Sequence, residues 1–253
     1  MYGLLAWLGA GLACAQAADL QVTPVLVEFA PAQQAQALYL ANSGQQPLQA
    51  QVRVLQWSQE DGQEHLEPTR DVIASPAIVE VGPGQRQIVR LIRLQPSPAT
   101  RERSYRVLVD ELPGAQRRDS TGLQFLLRYS IPVFVQPLGP VAPGSSAQSP
   151  EAVPPTDLAA VQARLQTDPD GRTRLLVRNE GSRRLRISHL AIADEAGASR
   201  RALGEGLLGY VLSGQQMSWP LDLPLPLPAG QTLKARFNDD MEAQALPLVD
   251  AGR

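Results

Sequence analysis

Apolar and polar residues alternate along much of this chain with the period of two that marks half-buried strands. Leu48, Ala50, Val52 and Val54 stand against Gln49, Gln51 and Arg53 in one segment. Ile88, Arg90 and Ile92 stand against Val89, Leu91 and Arg93 in another. Shorter segments of the same kind run over residues 20–29, 37–41, 72–74 and 77–81. Asn42-Ser43-Gly44, Asp61-Gly62 and Gly82-Pro83-Gly84 supply turn residues between them. No long helical period of apolar residues occurs. About seven strands before residue 137 predict an immunoglobulin-like sandwich.

Residues 101–137 predict a long hairpin: two apolar strands flank a basic, Gly-containing loop. In its second strand Leu123, Phe125, Leu127, Tyr129 and Ile131 share one face, and Leu126, Arg128 and Ser130 the other. A strand this long and apolar recruits other chains if its edge is free. It must be central, covered, or meant to pair with a partner. The residues alone leave its apolar face open to two readings, the domain's own core or a surface lent to another chain.

Residues 138–156 are rich in Pro, Gly, Ser and Ala and read as a linker. A second strand set begins near Leu158. There Leu175-Leu176-Val177 before Asn179-Glu180-Gly181 echoes Leu38-Tyr39-Leu40 before Asn42-Ser43-Gly44, which suggests two related sandwiches. Residues 221–228 alternate Leu with Asp or Pro. Proline brings no N–H to a ladder, so this is an edge or an extended segment. Residues 232–238 form a last alternating strand. The expectation is an all-β chain with immunoglobulin-like β-sandwich domains at 18–137 and 157–253.

An apolar run over residues 4–13, followed by Ala15-Gln16-Ala17, reads as a secretory signal spanning 1–17. It lacks a basic leading region, which leaves room for a start further upstream. Lipidation at Cys14 is disfavoured by Gly11 three positions before it. Cys14 is the only cysteine, so cleavage leaves no disulfide framework and no thiolate metal site. No other stretch could span a membrane. A net charge of -2 gives no global attraction to nucleic acid or anionic membrane.

No catalytic set emerges. The two histidines, His65 and His189, lie at no metal-ligand spacing. His65 reads as solvated in a polar loop, and His189 as a partly buried structural residue of a strand. Nucleophile-elbow, phosphate-loop and dinucleotide motifs are lacking. Asp110 and Glu111 are strand neighbours and point to opposite faces. Arg183, Arg184 and Arg186 read as a solvent-facing strand edge, and Arg117-Arg118 as a solvated loop tip. Neither a metal nor a cofactor is expected.

Set in order, several marks resemble the periplasmic chaperones of the chaperone–usher pathway, which assemble pili and fimbriae. They are Pro24, Phe29, Asn42-x-Gly44, Trp57, Pro76 and Pro83-Gly84-x-x-Gln87-x-Val89-Arg90-Leu91. Arg101-Glu102, Tyr105-Arg106, Glu111-Leu112-Pro113 and Ile131-Pro132-Val133-Phe134-x-x-Pro137 follow. In the second half, Gly209-Tyr210-Val211-Leu212-x-Gly214 and Trp219 are similar to the archaic or alternative branch. The resemblance implies a periplasmic boomerang of two immunoglobulin-like domains that captures pilin subunits and hands them to an outer-membrane usher. It implies capture by a lent strand, with Leu123, Phe125 and Leu127 filling the subunit's groove.

One departure stands out. The two basic residues that hold a subunit's C-terminal carboxylate in the better-known branch align with Leu26 and Pro132. Arg106, set in an apolar strand, is the first candidate to replace them, with Arg128 and Arg90 behind it. The competing role for Arg106 is an internal ion pair with Glu111 or Glu102. The competing function for the chain is a secreted β-sandwich module that binds glycans or forms part of a surface structure. An aromatic content of 5% argues against a glycan platform.

Overall fold

The computed structural model describes residues 19–95, 99–113, 126–138, 156, 158–194 and 196–249. The expected signal (1–17), most of the linker, and the hairpin residues Leu123 and Phe125 lie outside the described residues. Two β-sandwiches account for the rest. In the first, β1 (Leu20–Thr23), β3 (Ala35–Asn42), β8 (Arg86–Arg93) and β6 (Val72–Ser75) form one sheet in that order. The facing sheet runs β2 (Val27–Phe29), β10 (Arg128–Val135), β9 (Arg103–Leu112), β4 (Leu48–Glu60), β5 (Gln63–Pro68), with β7 (Ile78–Val81) also on β4. Leu38, Leu40, Val89 and Leu91 from one sheet meet Val52, Val107, Ile131 and Val133 from the other in a single core.

Residues 20–29 are not one strand. β1 pairs with β3 in the first sheet, and after Pro24 the chain crosses to pair β2 in parallel with β10 in the second. Proline has no N–H to continue a ladder, so the break falls where the sequence cannot pair.

The second sandwich sets β11 (Val161–Thr167), β12 (Thr173–Asn179) and β16 (Gln216–Leu221) against the sheet β14 (Ser199–Ala202), β13 (Leu185–Asp194), β17 (Gln231–Phe237), β18 (Gln244–Ala245). β15 (Leu207–Val211) also pairs with β13. Leu175, Val177, Ile187, Leu233 and Phe237 are fully buried between the sheets. The proline-alternating stretch after Leu221 carries no strand, as its missing N–H groups require.

The Asn-x-Gly echo is a shared corner. Asn42 Nδ2 donates to the carbonyls of Gln46 (2.7 Å) and Val81 (2.9 Å), and its Oδ1 accepts from Gly44 N (2.9 Å). Asn179 Nδ2 donates to the carbonyls of Arg183 (2.8 Å) and Val211 (3.0 Å), and its Oδ1 accepts from Gly181 N (2.9 Å). Each buried amide thus ties a strand end, its turn and a distant strand together. The histidines correct the sequence reading. His65 lies in β5 rather than a loop, although it is exposed. His189 is exposed at a register shift of β13 with φ of 53°, not partly buried.

Candidate functional site

β10 has one edge with a gap. β9 pairs along all of it, from Arg128↔Asp110 to Val135↔Arg103. On the other side β2 reaches only Val133–Val135. Among the described residues, 128–132 therefore have no strand on that side. Pro132 sits in this gap, where a missing N–H costs no ladder bond. Ile131, Val133 and Val135 point into the core, while Tyr129 packs against it and donates its hydroxyl to Leu20 O. Leu127 is half-buried against the same core, and its carbonyl accepts from Glu111 N at 2.9 Å. The apolar face of the second hairpin strand is thus continuous with the domain's own core from Leu127 onward.

Register places Leu55, Arg106, Pro132 and Phe134 on the opposite, outer face of this sheet. Arg106 lies directly across from Pro132, on the neighbouring strand. Its guanidinium stacks 3.7 Å from the Trp57 ring centroid, and its side chain is only 14% exposed. Nη2 donates to Glu64 Oε1 at 3.3 Å. That single bond is the only one the guanidinium makes among the described residues, and the partner is neither Glu111 nor Glu102. Burial lowers the Arg106 pKa, while Glu64 and Tyr210 act the other way. Arginine starts so high that it keeps its charge.

Trp57, Phe134 and Tyr210 form a ring cluster with centroids 5.6–5.9 Å apart. Leu212 completes it, and Leu26 packs against it, at an apolar junction between the domains. The Gly-Tyr-Val-Leu-x-Gly motif builds the far side. A Cβ on Gly209 would come within 2.9 Å of Trp219, and Gly214 turns at φ of 73° beneath the Arg101 side chain. Gln59 fastens the two domains with its amide, donating to Tyr210 O (2.7 Å) and accepting from Leu212 N (2.9 Å).

Arg184 overturns the solvent-edge reading. Its side chain is 16% exposed, its guanidinium lies 3.8 Å from the Phe134 ring centroid, and it bridges to the first domain. Nη1 donates to Glu102 Oε2 at 2.7 Å, Nη2 pairs with Glu28, and Arg184 N donates to Glu102 Oε1 at 3.0 Å. Burial pushes the Glu102 pKa up despite Arg184 beside it.

The remaining candidates are placed elsewhere. Arg128 is 65% exposed and pairs with Asp110, which also holds Arg53 at 2.7 Å. Burial raises the Asp110 pKa, but the two arginines outweigh it and the net shift is downward. Arg90 lies on the outer face of the other sheet, exposed between Ala37 and Ser75, so the sandwich separates it from Arg106. Glu64 gave no signal in the sequence, because only the β4–β5 pairing carries it to Arg106. The described residues include no group of three or more His, Cys, Asp or Glu side chains that could hold a metal ion. No helix among them is long and apolar enough to cross a membrane.

Residues 19–140 match the family described as pili and flagellar-assembly chaperone, PapD N-terminal domain. That domain, the first of the two sandwiches, belongs to the PapD-like pilus chaperones. No curated protein sequence matches it. Among solved structures the chaperone is similar to a chain of the CsuC–CsuE chaperone–tip adhesion subunit pre-assembly complex from archaic chaperone-usher Csu pili of Acinetobacter baumannii. The identity is 24%, the TM-score 0.70, and the match covers 91% of this chain and 98% of that one. It is similar to the CupB2 chaperone of Pseudomonas aeruginosa at 16% identity and TM-score 0.57, over 90% and 100% of the two chains. The DraB chaperone of E. coli follows at 20% and 0.57, over 91% and 96%. These likenesses extend the two-sandwich fold across both domains.

Proposed function

We propose that this protein is a periplasmic chaperone that holds pilin subunits by strand addition, anchors their C-terminal carboxylate on Arg106, and delivers them to an outer-membrane usher in an archaic-type system. The observation that carries the reading is the edge of residues 128–132, which no described strand pairs on its second side and which ends beside an arginine that makes one bond among the described residues. An added strand would gain main-chain bonds along that edge, and a carboxylate at its end would find a charged donor backed by an aromatic ring. Leu123 and Phe125, just before the edge, are the side chains we assign to the subunit's groove, with Leu127 where the lent face meets the chaperone's core. The usher would dock on the outer face of the β1-β3-β8-β6 sheet. There Tyr39, Ile73, Ile88 and Ile92 make an apolar surface flanked by Arg86 and Arg90.

Co-expression with a pilin encoded beside the chaperone should yield a stable equimolar complex. Phe125→Asp should abolish that complex and leave the chaperone's unfolding transition unchanged. Loss of folding in Phe125→Asp would assign Phe125 to the core instead and remove it from the lent strand.

A further inference from the structure

We propose that Glu64 is a built-in competitor for the subunit carboxylate: it neutralises Arg106 while the site is empty and weakens the carboxylate's hold when the site fills. The inference rests on the reading of Arg106 as the anchor. Glu64 lies on β5, the outermost strand of its sheet, where every side chain is exposed. It is 40% exposed, and its contact with Arg106 is one bond of 3.3 Å, at the long end of the hydrogen-bond range. Its position comes from the β4–β5 register, in which Gln59 pairs with Glu64 and Trp57 with Leu66.

The Trp57 ring covers one face of the guanidinium, so an incoming carboxylate must approach in the plane of the fork. Glu64 already occupies part of that plane. Two carboxylates at one guanidinium repel each other, so capture must displace Glu64 or bear the repulsion. The empty site needs Glu64 for the converse reason: without it, a mostly buried guanidinium would stand without a counter-charge. Glu64 thus lowers affinity through the same contact that keeps the free chaperone stable.

The test uses the full chain and a synthetic peptide carrying the C-terminal strand of a pilin encoded beside it, as free acid and as C-terminal amide. The ratio of amide Kd to acid Kd, measured by calorimetry, isolates the carboxylate. It should exceed one in the wild type and fall to one in Arg106→Ala. Glu64→Gln should raise it by about two- to fivefold, the scale of a part-exposed ion pair. If Arg106→Ala brings the ratio to one but Glu64→Gln leaves it unchanged or lowers it, the competitor role is overturned and Arg106 stays the anchor; a ratio that survives Arg106→Ala overturns both. A wild-type ratio of one overturns both.

Discussion

Arg184 and Arg106 pose one physical problem with two outcomes. Both stack on rings of the same aromatic cluster, at 3.8 Å and 3.7 Å, and their side chains are 16% and 14% exposed. Arg184 is held by two carboxylates of the opposite domain, one with a fully buried side chain and the other half-exposed. Among the described residues Arg106 makes a single long bond, to a carboxylate on an edge strand. Arg184 joins two domains through two carboxylates, whereas Arg106 meets one carboxylate of its own domain. Proximity to the domain junction therefore does not separate the two cations; the number and burial of the carboxylates that hold each one does.

The sharpest way to break this contrast is Arg184→Ala. It strands the Glu102 carboxylate, whose side chain is 0% exposed, and the loss of one partner of a buried pair costs about 3–5 kcal/mol. Urea denaturation of the full chain should show that loss. A change below 1 kcal/mol would mean that the domains do not depend on the bridge.

Arg106→Ala should do the reverse. Its partner is half-exposed, so stability should fall by only about 1 kcal/mol. Subunit capture should weaken by about a hundredfold or more, as expected when a ligand carboxylate is buried without its cation. Arg106→Lys should recover only part of this in the same pull-down, because a point charge cannot copy a two-toothed fork. Arg128→Ala, already committed to Asp110 and mostly exposed, should leave capture close to wild type. If Arg128→Ala abolishes capture while Arg106→Ala does not, the anchor assignment is wrong.

The smallest effect is a pH dependence. Burial raises the folded pKa of Glu102 above its unfolded value, so folding takes up a proton there. The group's contribution is complete below the ordinary carboxylate pKa and is lost as pH climbs through the raised value. Across that window the wild type should lose stability relative to Glu102→Gln, which does not titrate. The window should extend to higher pH in Arg184→Ala, where the opposing charge is gone. Denaturation midpoints that track each other in both backgrounds would show that Glu102 titrates as it does in the unfolded chain.

Much of the architecture was legible before any coordinates. Period-two alternation marked β4 and β8, the prolines after Leu221 ruled out a central strand, and the Asn-x-Gly pairs signalled two related corners that make the same bonds. Each of these is local: a pleat sorts neighbours by parity, proline carries its own missing donor, and an Asx turn closes within a few residues. Arg106 was legible for a similar reason, since a cation inside an apolar strand is costly wherever that strand lies. Its partner was not. Glu64 is 42 residues away, Arg184 lies 82 residues from Glu102 and 156 from Glu28, and Arg90, itself a candidate, ends on the far side of the sandwich. The sequence determined which residues must be strands and which cations would need a counter-charge, because those demands arise from covalent geometry and desolvation. Tertiary structure alone decided which carboxylate answered each cation, because ion pairing depends on distances that only strand register and the docking of two domains create.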